Sequence, residues 1–157
     1  MIPGRIERDI LIEAPVEVVW RAVTEPDQIS SWFTDTAVID VREGGEGTLT
    51  WNGGAATKPT TARISVVTVA PPQTFSFRWA HPEGVEARQD NSVLVEFTLL
   101  PEGEHTRLRV VETGLLELAW PDADKATYAD EHNKGWARHL VSLREYMVRP
   151  PEESPQR

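Results

Sequence analysis

Two side chains have the types and the placement to do chemistry together. Glu112 shares its strand parity with Leu108 and Val110, the side that points to an apolar interior. A lone carboxylate in such surroundings is costly unless paired or protonated, so the position calls for a partner. His132 stands one helical turn before Trp136 on the apolar line of the last helical segment and can be that partner. A carboxylate held against an imidazole can orient a polar group of a bound molecule, or work with it as acid and base. The plainer alternative is a strand-end glutamate that curls out to solvent and a histidine at its helix edge. A one-residue slip of parity separates the two readings.

Other chemistries lack their residues. The chain has no cysteine, which removes disulfides, thiolate nucleophiles and Cys-ligated zinc together. His132 and His139 are seven apart, which is not the spacing of paired ligands on successive helical turns, and His81 and His105 fall near loops. No metal and no cofactor are therefore expected. Ser65, Ser76 and Ser92 lie in strand-like segments without a Gly-x-Ser-x-Gly turn. Gly44, Gly45 and Gly47 stand between two strands and serve a turn, not a phosphate loop.

The elements that must hold this pair follow from periodicity. Residues 5–13 read as a strand with Ile6, Arg8, Ile10 and Ile12 on one parity. Pro15 suits the first turn of a helix through Val16, Val19, Trp20 and Val23, and Pro26 ends it and opens a second short helix through Ile29, Trp32 and Phe33. Strands are expected at 37–42 and 47–52 around a Glu43-Gly44-Gly45-Glu46 turn, with Asn52-Gly53-Gly54 breaking the second. Further strands are expected at 61–69, closed by Pro71-Pro72, and at 75–79. Another runs from Val93 to Leu99, and the last carries Leu108, Val110 and Glu112. The stretch 81–91 reads as a longer loop.

The closing helix has its apolar line at Ala129, His132, Trp136, Leu140, Leu143 and Met147, with Asp122 or Asp124 as its cap and Arg144 and Arg149 at its end. About 25 residues make a rod of roughly 37 Å, long enough to cross a domain. Gly135 inside it costs about 1 kcal/mol against alanine and reads as a close backbone approach to a strand. Trp120, before Pro121, is placed in a loop at the rim of the site. The tail 149–157 is expected to be disordered, leaving one domain over 1–148.

Composition narrows the partners. The net charge of −9, with no run of Lys or Arg, disfavours nucleic acid and anionic membrane surfaces. No stretch of about 18 apolar residues and no signal-like N-terminus occur, so a cytoplasmic address without stable membrane association is expected. Six tryptophans in 157 residues call for either a heavy core or a lined cavity.

Strand, two short helices, about six strands and one long helix, in that order, resemble the START-like (SRPBCC) superfamily, and within it the group related to the activator of heat-shock protein 90 ATPase. The resemblance runs from Ile6 to about Val148. It is carried by EAPVEVVWRAVTEPDQISSWF (13–33), the Gly44-Gly45 turn, FSFRWAHP (75–82), VVETGL (110–115) and HNKGWARHLVSL (132–143). It implies an α+β helix-grip fold, in which a curved antiparallel sheet of six to seven strands wraps around the long C-terminal helix.

Alternation alone favours a filled core, whereas the resemblance implies a hydrophobic cavity between sheet and helix. Its expected lining is Trp20, Trp32, Phe33, Trp51, Phe75, Phe77, Trp79, Val95, Phe97, Val110, Glu112, His132, Trp136 and Leu140. Trp32 and Phe33 are expected to clasp the short helices to the sheet or to gate the cavity. The leading expectation is a module that holds a small apolar or amphipathic molecule, as a monomer or homodimer. One alternative is a cyclase- or hydrolase-type enzyme using Glu112 and His132. Another is a stress-linked protein-interaction module serving a chaperone or regulator, although the co-chaperone role belongs to relatives with an additional N-terminal domain.

Overall fold

The computed structural model describes residues 4–52, 60–79, 85–88 and 90–148. Gly53 and Gly54, residues 81–84 and 89 of the expected loop at 81–91, and the tail from Arg149 lie outside the described residues. The elements are β1 (Arg5–Ile12), α1 (Val16–Thr24), α2 (Pro26–Trp32), β2 (Thr36–Ile39), β3 (Glu46–Trp51), β4 (Thr60–Ala70), β5 (Thr74–Trp79), β6 (Val93–Glu102), β7 (His105–Thr113), a 3-10 turn (Leu115–Glu117) and α3 (Asp122–Met147).

All seven strands join one curved antiparallel sheet in the order β1-β7-β6-β5-β4-β3-β2. The chain starts at one edge, crosses through α1 and α2 to the other, and then returns strand by strand until β7 pairs with β1. The buried hydroxyl of Thr106 donates to the Ala14 carbonyl at 2.8 Å and ties this crossover to the start of β7. Short β2–β3, β4–β5 and β6–β7 connections dictate the antiparallel pairing of those strands. In the β2–β3 connection, a Cβ at Gly45 would stand 2.0 Å from the Asp40 carbonyl oxygen, so only glycine fits there.

One face of the sheet follows the period of two closely. Phe75, Phe77 and Trp79 on β5, Val93, Val95, Phe97 and Leu99 on β6, and Leu108, Val110 and Glu112 on β7 are all buried. The α3 residues Ala129, Trp136, Leu140 and Leu143 cover them, and α1 and α2 close the remaining end with Val19, Val23, Ile29 and Trp32. Between Phe75, Phe77, Phe97, Leu49 and the two short helices only about 10 Å³ of space remains, at most one water. This end of the interior is solid.

Several local expectations need correction. The second strand is only Thr36–Ile39, because the chain bends at Asp40, where Arg42 pairs with Asp40 at 2.7 Å. Pro15 stands at the cap position just before α1, whereas Pro26 is the first residue of α2 as expected. The cap position of α3 belongs to Pro121, which has no side-chain cap bond, and Asp122 and Asp124 lie in its first turn, where acids meet the positive end of the helix dipole. Gly135 approaches no strand: a Cβ there would meet only the Arg138 guanidinium, at 3.9 Å.

Candidate functional site

Glu112 stands near the end of β7, paired with Ile6 on β1 and Val95 on β6, and is 2% exposed. Two residues later Gly114, at φ +102°, turns the chain towards the 3-10 turn and α3, with its Cβ position 3.1 Å from the Ser92 carbonyl oxygen. The carboxylate is thus fixed near the end of β7, one strand in from the sheet edge, and directed at α3.

Four side chains surround it. Tyr128 donates its hydroxyl to Oε1 at 2.6 Å, and Trp79 Nε1 lies 3.4 Å from the same oxygen. Trp136 Nε1 donates to Oε2, and His132 Nδ1 lies 2.8 Å from Oε2. Trp79 also donates to the Tyr128 hydroxyl at 2.9 Å. Tyr128, His132 and Trp136 are spaced by four along α3 and so form one stripe on the helix face that meets β7. An indole N–H can only donate, so each carboxylate oxygen faces at least one obligate donor.

This network forms the floor of a cleft. About 910 Å³ of open space lies between the ends of β3, β4 and β5 on one side and α3 on the other. Its apolar walls are Phe33, Trp51, Ala62, Trp79 and Trp136. Phe33 is the hub: its ring centroid is 5.2 Å from Trp32, 5.3 Å from Trp51, 6.3 Å from Trp79, 5.2 Å from Trp136 and 4.9 Å from His139. Trp51 Nε1 donates to the Phe33 carbonyl at 2.7 Å and holds this wall upright.

The electrostatics follow from burial. The phenol of Tyr128 is pushed far above its ordinary range, first by burial and then by the charge of Glu112 and the hydrogen bond to it, so its proton stays in place. His139 is lowered to about 4, chiefly by burial and further by the neighbouring charges of Arg138 and His132. A hydrogen bond to the Trp32 backbone opposes that shift without reversing it. At neutral pH His139 is therefore a neutral imidazole in the cleft wall. Among the described residues no group of His, Asp and Glu is arranged to hold a metal ion.

The structure divides the residues singled out in the sequence. It brings Phe33, Trp51, Trp79, His132 and Trp136 to the cleft. Glu112 lies behind them, reaching the cleft through His132, whose side chain is 28% exposed. Trp32, Phe75, Phe77, Val95, Phe97, Val110 and Leu140 are buried in the core away from this opening. Trp20 packs edge-on against Phe75, and Trp32 donates Nε1 to the Ala22 carbonyl at 2.8 Å, clasping α2 to α1. Trp120 packs edge-on against Tyr128 instead of lining the cleft.

Sequence reading missed Tyr128, which stacks on His132 at a centroid distance of 3.7 Å. Its signal was available, since it stands one turn before His132 as His132 stands before Trp136. It also missed His139 and the polar rim of Asp130, Glu131, Lys134 and Arg138. Such residues follow the ordinary pattern of a solvated helix face and become lining only because the sheet leaves that face open.

Comparison with known proteins places the whole assembly. The family model described as "Activator of Hsp90 ATPase homolog 1-like protein" matches residues 13–148. Among solved structures, MLL2253 from Mesorhizobium loti is similar, with 20% identity and a TM-score of 0.72, over 97% of this chain and 99% of that one. The Aha1 dimer from Colwellia psychrerythraea is 21% identical with a TM-score of 0.70, over 91% and 95%. DynU16, from the dynemicin biosynthetic locus, is 23% identical with a TM-score of 0.72 over 92% of this chain, which spans 47% of DynU16. No curated protein matches.

Proposed function

We propose that this chain, which belongs to the activator of Hsp90 ATPase homolog 1-like family, binds a small amphipathic molecule with a flat apolar body in the cleft between β3–β5 and α3. The observation that carries this reading is the aromatic wall of Phe33, Trp51, Trp79 and Trp136 around open space, with a buried carboxylate holding two of those indoles and His132 in fixed orientation. Apolar burial supplies affinity, and a few fixed polar groups supply orientation. A space of about 910 Å³ falls in the range of roughly 300–1,000 Å³ common for small-molecule sites. The solid interior around Phe75 and Phe97 leaves no room for a ligand at that end.

The test uses the purified protein and a plug. Gly135 lies on the cleft floor with free space above it, so Gly135→Trp fills the cleft without displacing core residues. Native mass spectrometry and solvent extraction are expected to find a small apolar passenger on the wild type and none on the plugged variant. Equal passenger on both, or binding of apolar probes unaffected by the plug, refutes the assignment of the site.

A second reading rests on the 2.8 Å contact between Glu112 and His132. With Glu112 sealed from solvent, His132 is the member of this pair that faces the cleft, and Glu112 acts as its orienting partner. Turnover of the identified ligand that His132→Gln abolishes while binding persists would support acid–base catalysis; turnover unaffected by that change would end this reading. A chaperone-accessory role draws less support, because the exposed large apolar residues are distributed over β2, β4, β6, the 3-10 turn and α3.

A further inference from the structure

We propose that the ligand of this cleft is an aromatic or polycyclic acid whose single carboxylate pairs with Arg138. The inference rests on the binding reading above and names the chemical class that it leaves open.

Four observations support it. Arg138 lines the cleft, yet among the described residues it forms no ion pair and no hydrogen bond. Its helix neighbours at three and four residues are Lys134, Gly135, Val141 and Ser142, so no acid stands where an intrahelical pair would form. Lys134, the other rim cation, is already engaged with Asp130 at 3.1 Å. The Arg138 side chain lies back along the helix, with Nη2 3.9 Å from the place a Gly135 Cβ would occupy. Arginine side chains on a helix reach towards its N-terminal side, and here that direction leads across the cleft floor.

Gly135 gains its meaning from the same geometry. A mid-helix glycine weakens the helix, and no close contact requires it. Any larger side chain would occupy the floor that the guanidinium now overlies. Among the described cleft residues Arg138 is thus the cation without an acidic partner. Burial keeps His139 neutral, and His132 is held against Glu112. The rim also has a direction. Glu131 lies seven residues before Arg138, roughly 10 Å along the helix axis. An acid is therefore repelled at the Glu131 end and drawn to the Arg138 end, with its rings along Trp51, Trp79 and Trp136. The planar guanidinium fork suits a carboxylate.

The test compares three probes of one shape by isothermal titration calorimetry at neutral pH: 2-naphthoate, 2-naphthalenemethanol and 2-naphthylmethylamine. Naphthoate is expected to bind about tenfold or more tighter than the alcohol, the amount of one charge-assisted pair. Arg138→Gln, at an exposed position that the fold does not depend on, should erase this preference, read as the ratio of acid to alcohol affinity; Arg138→Lys should retain part of it. Equal binding of acid and alcohol, tighter binding of the amine, or an acid preference that survives Arg138→Gln overturns the proposal while the cleft remains a binding site. Failure of all three probes to bind overturns the cleft reading and this inference with it.

Discussion

Replacing Glu112 by glutamine tests the donor network at the heart of the site. The amide keeps the shape of the carboxylate but offers one acceptor where Glu112 offers two. Trp136 Nε1 can only donate, so the amide oxygen must take the side of Trp136 and His132. The NH2 group then faces Tyr128, whose 2.6 Å donation is lost, and Trp79, which retains the Tyr128 hydroxyl as its acceptor. Hydrogen bonds to charged groups contribute about 1.5–3 kcal/mol and neutral ones about 0.5–1.5. One charged bond lost and two reduced to neutral strength give about 4 kcal/mol, a large part of the 5–15 kcal/mol typical of a domain. For a chain of this length that lowers Tm by about 8–16 °C. Glu112→Ala, which leaves Tyr128, His132 and Trp136 without this acceptor, should cost more still. Urea unfolding followed by circular dichroism measures both. A glutamine variant within about 1 kcal/mol of wild type, or an alanine variant more stable than the glutamine one, would show that the network does not stabilise the fold in this way.

Three further outcomes follow from the same geometry. Tyr128→Phe removes a donor to Glu112 and the acceptor of Trp79, so thermal melts should show a loss of about 1–3 kcal/mol, with helix content intact. Gly135→Ala meets only the mobile end of Arg138 and should raise stability by up to about 1 kcal/mol, read as a Tm rise of about 2–4 °C. His139 has its pKa depressed from 6.5 to about 4 in the folded state, so the unfolded chain binds more protons between these values. Its contribution to stability is complete above pH 6.5 and is lost as pH falls towards 4; melts of His139→Gln across this window should show a flatter dependence than wild type.

The parts of the molecule that obey a simple period were legible in the sequence. Strands β5 to β7 alternate so regularly that Phe75, Phe77, Trp79, Val93, Val95, Phe97, Leu108 and Val110 lie on the buried face that their parity predicts, and the cost of burying a charge is what calls for a helix partner to Glu112. Trp79 and Trp136 were read as apolar walls. Their N–H groups, which hold the carboxylate, become visible only when both tryptophans converge on one point. The location of the open space was not legible either. Phe97 and Trp51 look alike in pattern, yet one is packed in a solid core and the other stands at a cleft, and sheet curvature makes that difference. Gly135 and Arg138 follow the rules of any exposed helix until the facing sheet is in view.

The position of Phe33 divides the cleft wall into two kinds of surface. Its ring contacts five other aromatic rings while it remains 6% exposed, so it is part of the core and part of the site at once. Any change there that suits a new ligand also opens a gap beneath α2, and large-to-small changes at such places cost about 3–5 kcal/mol. Thr60, Ala62, Lys134 and Arg138 border the same space without that burden. Relatives that diverge in what they bind are therefore expected to differ at these rim positions and to keep an aromatic ring at position 33. A library built to change specificity should begin at the rim.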